Sequence, residues 1–179
     1  MRRYPKWSLT LLVFILFGLS AWAHSAETKS LKAFIPWEGE GRVFTIAPET
    51  VLFLGSLEGI IYVEKAEGEM DEGFVRCPVS QKIDLKTQAT SGSGYCMITV
   101  SETETVYAEW TCKGKVGGCA GQFNVTGGTG ALEGVTGSSE MIVRSPLRAL
   151  VADMPSGSLL RSASGIVILP ELNYTLPSK

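Results

Sequence analysis

The chain predicts an all-β protein, folded as one antiparallel sandwich or barrel. Three observations carry that expectation. Short runs rich in Val, Ile, Thr and aromatic residues recur between clusters of Gly, Ser, Pro and acidic residues, the pattern of strands separated by turns. No stretch beyond residue 26 keeps a helical period. Gly is abundant, 20 of 179 residues, and nine of these crowd into Gly114–Gly137, where tight turns are expected.

Residues 1–23 read as a secretion signal. Arg2, Arg3 and Lys6 form its basic start, Leu9–Leu19 is an apolar core of 11 residues, and Ala21-Trp22-Ala23 places small residues before the cut. A membrane span needs about 20 apolar residues, so no span is expected once the signal is removed. The destination is the periplasm or the medium. Cleavage leaves 13 basic residues against 18 acidic ones and moves the net charge from −2 to −5. A mildly acidic chain repels phosphates, which excludes nucleic acid as a partner.

Residues 24–41 read as a polar leader, 42–169 as the β domain and 170–179 as a loose tail. Ten candidate strands follow in order: Arg42–Ile46, Val51–Glu64, Gly73–Cys77, Gln81–Thr87, Tyr95–Val100, Thr105–Cys112, Gly121–Thr126, Ser139–Arg144, Leu147–Ala152 and Ala163–Leu169. Val51–Glu64 is apolar on both faces, with Phe53, Leu57, Ile61 and Val63 on one and Leu52, Leu54 and Ile60 on the other. A strand covered on both sides lies between an interior and a second layer. In a barrel that layer is commonly another subunit, so a homo-oligomer is expected.

The four cysteines, Cys77, Cys96, Cys112 and Cys119, predict two disulfides in an exported chain. Their gaps of 18, 15 and 6 residues fit a zinc knuckle poorly, and no metal is expected. Thr105–Cys112 puts Val106, Ala108, Trp110 and Cys112 on one face. Closing a hairpin over Lys113–Gly118 sets Cys112 opposite Cys119, Trp110 opposite Gly121 and Ala108 opposite Phe123. All the apolar groups then share a face. Cys112–Cys119 is the first expected bridge and Cys77–Cys96 follows by elimination; a Cys96–Cys112 bridge would overturn the register.

The lone His24 rules out any catalytic triad that needs a His in the fold, and a His-built metal site with it. Gly128-x-Gly130-x-x-x-Gly134 resembles a nucleotide-phosphate loop only superficially. That chemistry needs a helix next, whereas Gly134 and Gly137 weaken one and Ser139–Arg144 reads as a strand. Gly127, Gly128, Gly130, Gly134 and Gly137 are therefore expected to build a structural turn, and no cofactor is expected.

Trp110-Thr-Cys112, Gly118-Cys119-x-Gly121-x-Phe123 and the Gly127–Gly137 run resemble the allene oxide cyclase and dirigent-type barrels, most of all their exported bacterial relatives. Cys77-Pro78 and Gly94-Tyr95-Cys96 point the same way, and the likeness covers roughly Val51–Arg144. It implies a single eight-stranded antiparallel, calycin-like barrel, often dimeric or trimeric, around an apolar cavity. Members of that family cyclise or orient reactive small molecules, largely by holding their shape. The expectation is an exported barrel that binds a small, largely apolar molecule and steers its cyclisation or isomerisation without a cofactor. The competing class is a non-catalytic structural or interaction protein of the bacterial envelope, for which the acidic stretch Glu64–Glu72 is the candidate surface.

Phe53, Leu57, Ile61, Trp110 and Phe123 are the candidate ligand-lining residues, and a filled core is the simpler role for them. The matched motifs carry no catalytic group. Glu58 lies in the region where the family places acidic residues and, with Glu109, is a candidate catalytic carboxylate. Each sits on the less apolar face of its strand. Arg144, Arg148 and Arg161 are candidates for a basic rim.

Overall fold

A computed structural model describes residues 28–64, 68–146 and 156–177, apart from the side chains of 158–162. The secretion signal and the candidate strand Leu147–Ala152 lie outside the described residues. Eight strands run β1 (Thr28–Ala47), β2 (Thr50–Glu64), β3 (Met70–Asp84), β4 (Ala89–Thr99), β5 (Thr105–Lys115), β6 (Gly118–Gly128), β7 (Thr136–Arg144) and β8 (Ser158–Thr175). Each pairs antiparallel with the next, and β8 returns to β1 to close the barrel. The predicted eight-stranded antiparallel barrel is the observed fold, and closure leaves no free sheet edge.

Prolines account for most differences from the sequence reading. Pro78 was expected to separate two strands, but β3 runs through it. Pro78 pairs with Ser56 of β2, while the ladder from β3 to β4 skips Cys77 and Pro78. A residue without an N–H fits a strand where no ladder bond is needed. Pro36 likewise lies inside β1, opposite Ile166, so most of the expected polar leader is wall. Pro170 marks a bulge rather than an end. Leu169 and Leu172 are both buried and strand β8 continues to Thr175, so most of the expected tail is also barrel.

Alternation sorts the side chains. Val75, Cys77, Val79 and Ile83 of β3 and Ala108 and Cys112 of β5 are buried inside, whereas Lys82, Glu109 and Lys113 beside them are exposed. The interior is apolar, and the outer wall mixes these charged side chains with exposed apolar ones such as Ile60, Phe74 and Met97. Among the described residues no helix is long and apolar enough to cross a membrane.

The end of the barrel where β1 starts and β8 finishes is packed solid. Ala33, Ile61, Ile98, Val125, Leu169 and Leu172 fill it, with Leu169 wholly inaccessible. The expected glycine turn closes this end. Gly130 and Gly134 take left-handed φ values of 63° and 76°, which only glycine adopts without strain. Between them a single 3₁₀ turn, Gly130–Leu132, delivers buried Val135 to the core. Thr129 fastens the turn to the β4–β5 loop, its hydroxyl accepting from Thr105 N–H at 2.9 Å and donating to the Thr103 carbonyl at 3.1 Å. The turn is followed by strand β7 (Thr136–Arg144) rather than by an α-helix.

Candidate functional site: a cavity in the barrel

The other half of the barrel is hollow. A cavity of about 280 Å³ extends from the level of Val75 and Phe123 to the end that carries the β1–β2, β3–β4 and β5–β6 turns. Its walls are mostly aliphatic and aromatic. At about 30 Å³ per water-sized unit of liquid, it accommodates on the order of ten non-hydrogen atoms, near the lower limit of ligand pockets.

Aromatic rings and inward glycines shape the space together. The Trp110 indole lies against β4, where a Cβ on Gly94 would stand 2.8 Å from its Nε1. The Trp37 ring covers Gly165 of β8, where a Cβ would meet its Cζ2 at 2.6 Å. Phe53 lies over Gly41 and Gly55 in the same manner. Bare backbone beneath each ring lets a large side chain lie along the wall and leaves the middle open.

Four of the five expected lining residues, Phe53, Leu57, Trp110 and Phe123, line the cavity. Ile61 is buried below it in the packed half. Trp37, Gln81, Thr90 and Met141 also line the cavity, and sequence reading missed all four. Trp37 falls within the expected leader, although its odd-numbered apolar neighbours Ala33 and Ile35 carry a period of two that marks a strand. Gln81 and Thr90 satisfy one another, with the amide donating to the hydroxyl at 2.7 Å.

Both disulfides are present, Cys77–Cys96 with Cα atoms 4.2 Å apart and Cys112–Cys119 with Cα atoms 5.6 Å apart, and all four cysteines line the cavity. The pairing is as expected, but the β5–β6 register is not. Cys112 faces Gly121, Trp110 faces Phe123, and Gly114 faces Cys119. The strands continue to a tight turn at Val116-Gly117, where Gly117 has φ 94°, rather than opening at Lys113. A shift of two residues keeps every side chain on its face and makes the bridge diagonal. It also moves Trp110 from the expected Gly121 to the glycines of β4.

The rim is tied together by backbone hydrogen bonds. Leu85 N–H donates to the Glu49 carbonyl at 2.7 Å, Val116 N–H to Gln88 at 2.9 Å, Ser145 N–H to Gly117 at 3.0 Å and Gly157 N–H to Val43 at 2.7 Å. The first three bonds each join one connection to the next, and the fourth ties the residues before β8 to strand β1. Asp84 and Lys115 stand there. Asp84 accepts from the N–H groups of Thr87 at 2.7 Å and Lys86 at 3.0 Å, and the Thr87 backbone bond leads in holding its carboxyl below the usual value. Arg144 is exposed at the same end and its guanidinium donates to the Val143 carbonyl at 2.9 Å. Arg148 and the Arg161 side chain lie outside the described residues.

Of the two carboxylates considered for catalysis, Glu58 is among the residues that line the cavity and Glu109 is not. Leu57 and Gly59 face inward, so Glu58 between them points out, where the Arg76 guanidinium donates to it at 2.7 Å. Glu109 is exposed next to inward Trp110. Among the described residues no cluster of His, Cys, Asp or Glu could hold a metal.

Fold and site together define a class: a closed, disulfide-braced β-barrel with an apolar chamber in one half. Comparison with protein-family models, curated proteins and solved structures finds no match for the chain.

Proposed function

We propose that the protein binds a small, largely apolar molecule inside the barrel. The chamber itself carries this reading. About 280 Å³ of space among Phe53, Leu57, Trp110 and Val167 forgoes the packing that the other half of the barrel achieves, and an apolar occupant restores it. The residues that resemble allene oxide cyclase and dirigent barrels support the same function. On that resemblance the occupant is steered into a ring closure or isomerisation. Such a step would rest on confinement and orientation, because Asp84 and Lys115 stand at the mouth and the Glu58 carboxylate is held by Arg76.

Two disulfides fit an oxidising, extracellular environment, and with the basic, apolar start of the chain they support export to the periplasm or medium. The outer wall supports self-association. Phe34 and Tyr62 stack with centroids 5.2 Å apart, and exposed Ile60, Phe74, Met97 and Tyr107 continue the band across β2 to β5. A second copy of the chain covers it in this reading, as a dimer or trimer.

The deciding experiment is native mass spectrometry of the exported protein, followed by solvent extraction. Recovery of a stoichiometric small molecule supports the function. A protein that is always empty and gains nothing from hydrophobic probes refutes it. A strictly monomeric mass removes the oligomer.

A further inference from the structure

Among the described residues, one buried side-chain nitrogen or oxygen has no hydrogen-bond partner, the indole Nε1 of Trp37. Its ring lines the chamber. Other polar groups of the interior are satisfied: Gln81 donates to Thr90, and Ser139 donates to the Glu140 carbonyl at 2.7 Å. An enclosed N–H without an acceptor costs free energy and calls for an explanation.

We propose that Trp37 Nε1–H is the recognition donor for a neutral carbonyl oxygen on the ligand. This rests on the reading of the chamber as a binding site, and it specifies the chemistry of the occupant. An indole N–H only donates, so the matching ligand atom is an acceptor. The surrounding wall, with Ile35, Leu57 and Val167, holds no cation for a carboxylate, and an ionised group there would lose its hydration uncompensated. Lys115 stands at the mouth, at the end of β5. The acceptor is therefore uncharged, and the carbonyl oxygen of a ketone, aldehyde or ester provides one on an otherwise apolar body. A Cβ on Gly165 would stand 2.6 Å from the Trp37 Cζ2 and one on Gly39 would stand 3.6 Å from its Cζ3, so the ring lies close to bare backbone at both. Its second side-chain torsion is intrinsically soft, so a small turn over that floor presents the N–H to an occupant.

The test titrates the full-chain protein, with ¹⁵N-labelled indoles, against indane and 1-indanone, which share a carbon skeleton and differ by one carbonyl oxygen. Both probes enter. The ketone binds about two- to tenfold more tightly, the range of one net hydrogen bond. The Trp37 indole proton moves downfield with the ketone alone, while Trp110 responds similarly to both. In Trp37→Phe the affinity ratio of the two probes falls to about one. Equal affinities with an unmoved Trp37 resonance overturn the inference and leave the chamber reading intact. If neither probe binds, the chamber reading falls and this inference with it. Should Trp37→Phe fail to fold, the resonance of the unaltered protein still decides.

Discussion

Ala163→Leu tests whether the chamber is empty space or a region that merely lacks contacts on paper. Ala163 is half-buried on β8, faces inward beside Gly39 of β1 and lines the cavity. Leucine adds three carbons. The cavity has the volume of about nine water-sized units, so the new side chain takes roughly a third of it. Burying three carbons contributes about 2.4 kcal/mol at about 0.8 kcal/mol each. Fixing the leucine rotamer takes back about 0.5–1 kcal/mol. The expected net is about 1.5 kcal/mol of stabilisation. If the barrel were packed, the same substitution would force neighbours aside and cost about 1–3 kcal/mol. The two cases differ in sign. In urea unfolding with a slope near 2 kcal/mol/M, the midpoint rises by about 0.7 M if the chamber is hollow. The same variant loses affinity for indane by about tenfold or more, because probe and side chain compete for one volume. A midpoint lowered by 0.5 M or more (~1 kcal/mol) refutes the reasoning about the chamber.

Four further outcomes follow from the same geometry. Gly94→Ala places a methyl 2.8 Å from both the Trp110 Nε1 and the Pro78 carbonyl, and is expected to cost about 1–3 kcal/mol in urea unfolding with a shifted Trp110 emission; a silent variant removes the ring from that wall. Loop-closure entropy assigns about 3 kcal/mol to Cys77–Cys96, whose cysteines are 19 residues apart, and about 2 kcal/mol to Cys112–Cys119, 7 apart, so paired Cys→Ala variants should fall in that order of melting temperature. Glu58→Gln and Glu109→Gln leave probe binding unchanged and alter stability by less than about 1 kcal/mol, since both carboxylates are exposed outside the wall; loss of binding in either would reverse the inside–outside assignment. Asp84 titrates lower in the folded chain than in the unfolded one, so its stabilisation is present above the ordinary carboxylate range and lost as pH falls through the folded value. Asp84→Asn should therefore flatten the acid limb of the pH–stability curve, and an unchanged limb would show that the Thr87 and Lys86 bonds do not persist in solution.

Local alternation made much of the barrel legible in the sequence. Val106, Ala108, Trp110 and Cys112 share a face whatever the register, because a strand has a period of two and a slip of two residues preserves it. For the same reason the sequence placed Cys112 and Cys119 together and still misjudged the hairpin. The face is encoded by parity, whereas the register depends on the turn, and Val116-Gly117 competed with a wider loop that also held glycines. The prolines misled in the opposite direction. Pro36, Pro78 and Pro170 each look like interruptions, yet a barrel strand tolerates proline wherever its N–H has no ladder partner. That property belongs to the neighbouring strands and cannot be read along the chain.

The hollow half was harder to foresee, and the reason lies in the glycines. Gly41, Gly55, Gly94 and Gly165 sit at inward positions that apolar side chains would otherwise fill. Along a sequence, a glycine inside a strand marks only a weak point or a bend. In the barrel each is a floor for an aromatic ring from the same or a neighbouring strand: Phe53 on Gly41 and Gly55, Trp110 on Gly94, Trp37 on Gly165. A ring laid flat on backbone thickens the wall and leaves the axis open, whereas a ring standing inward would plug it. Thus the pairing of large and absent side chains across the strands, rather than the amount of apolar surface, separates a chamber from a core. Trp37 shows how far that principle reaches. The glycine floor that lays its ring against the wall also provides no acceptor for its N–H, so the step that opens the chamber leaves a polar group waiting for what enters it.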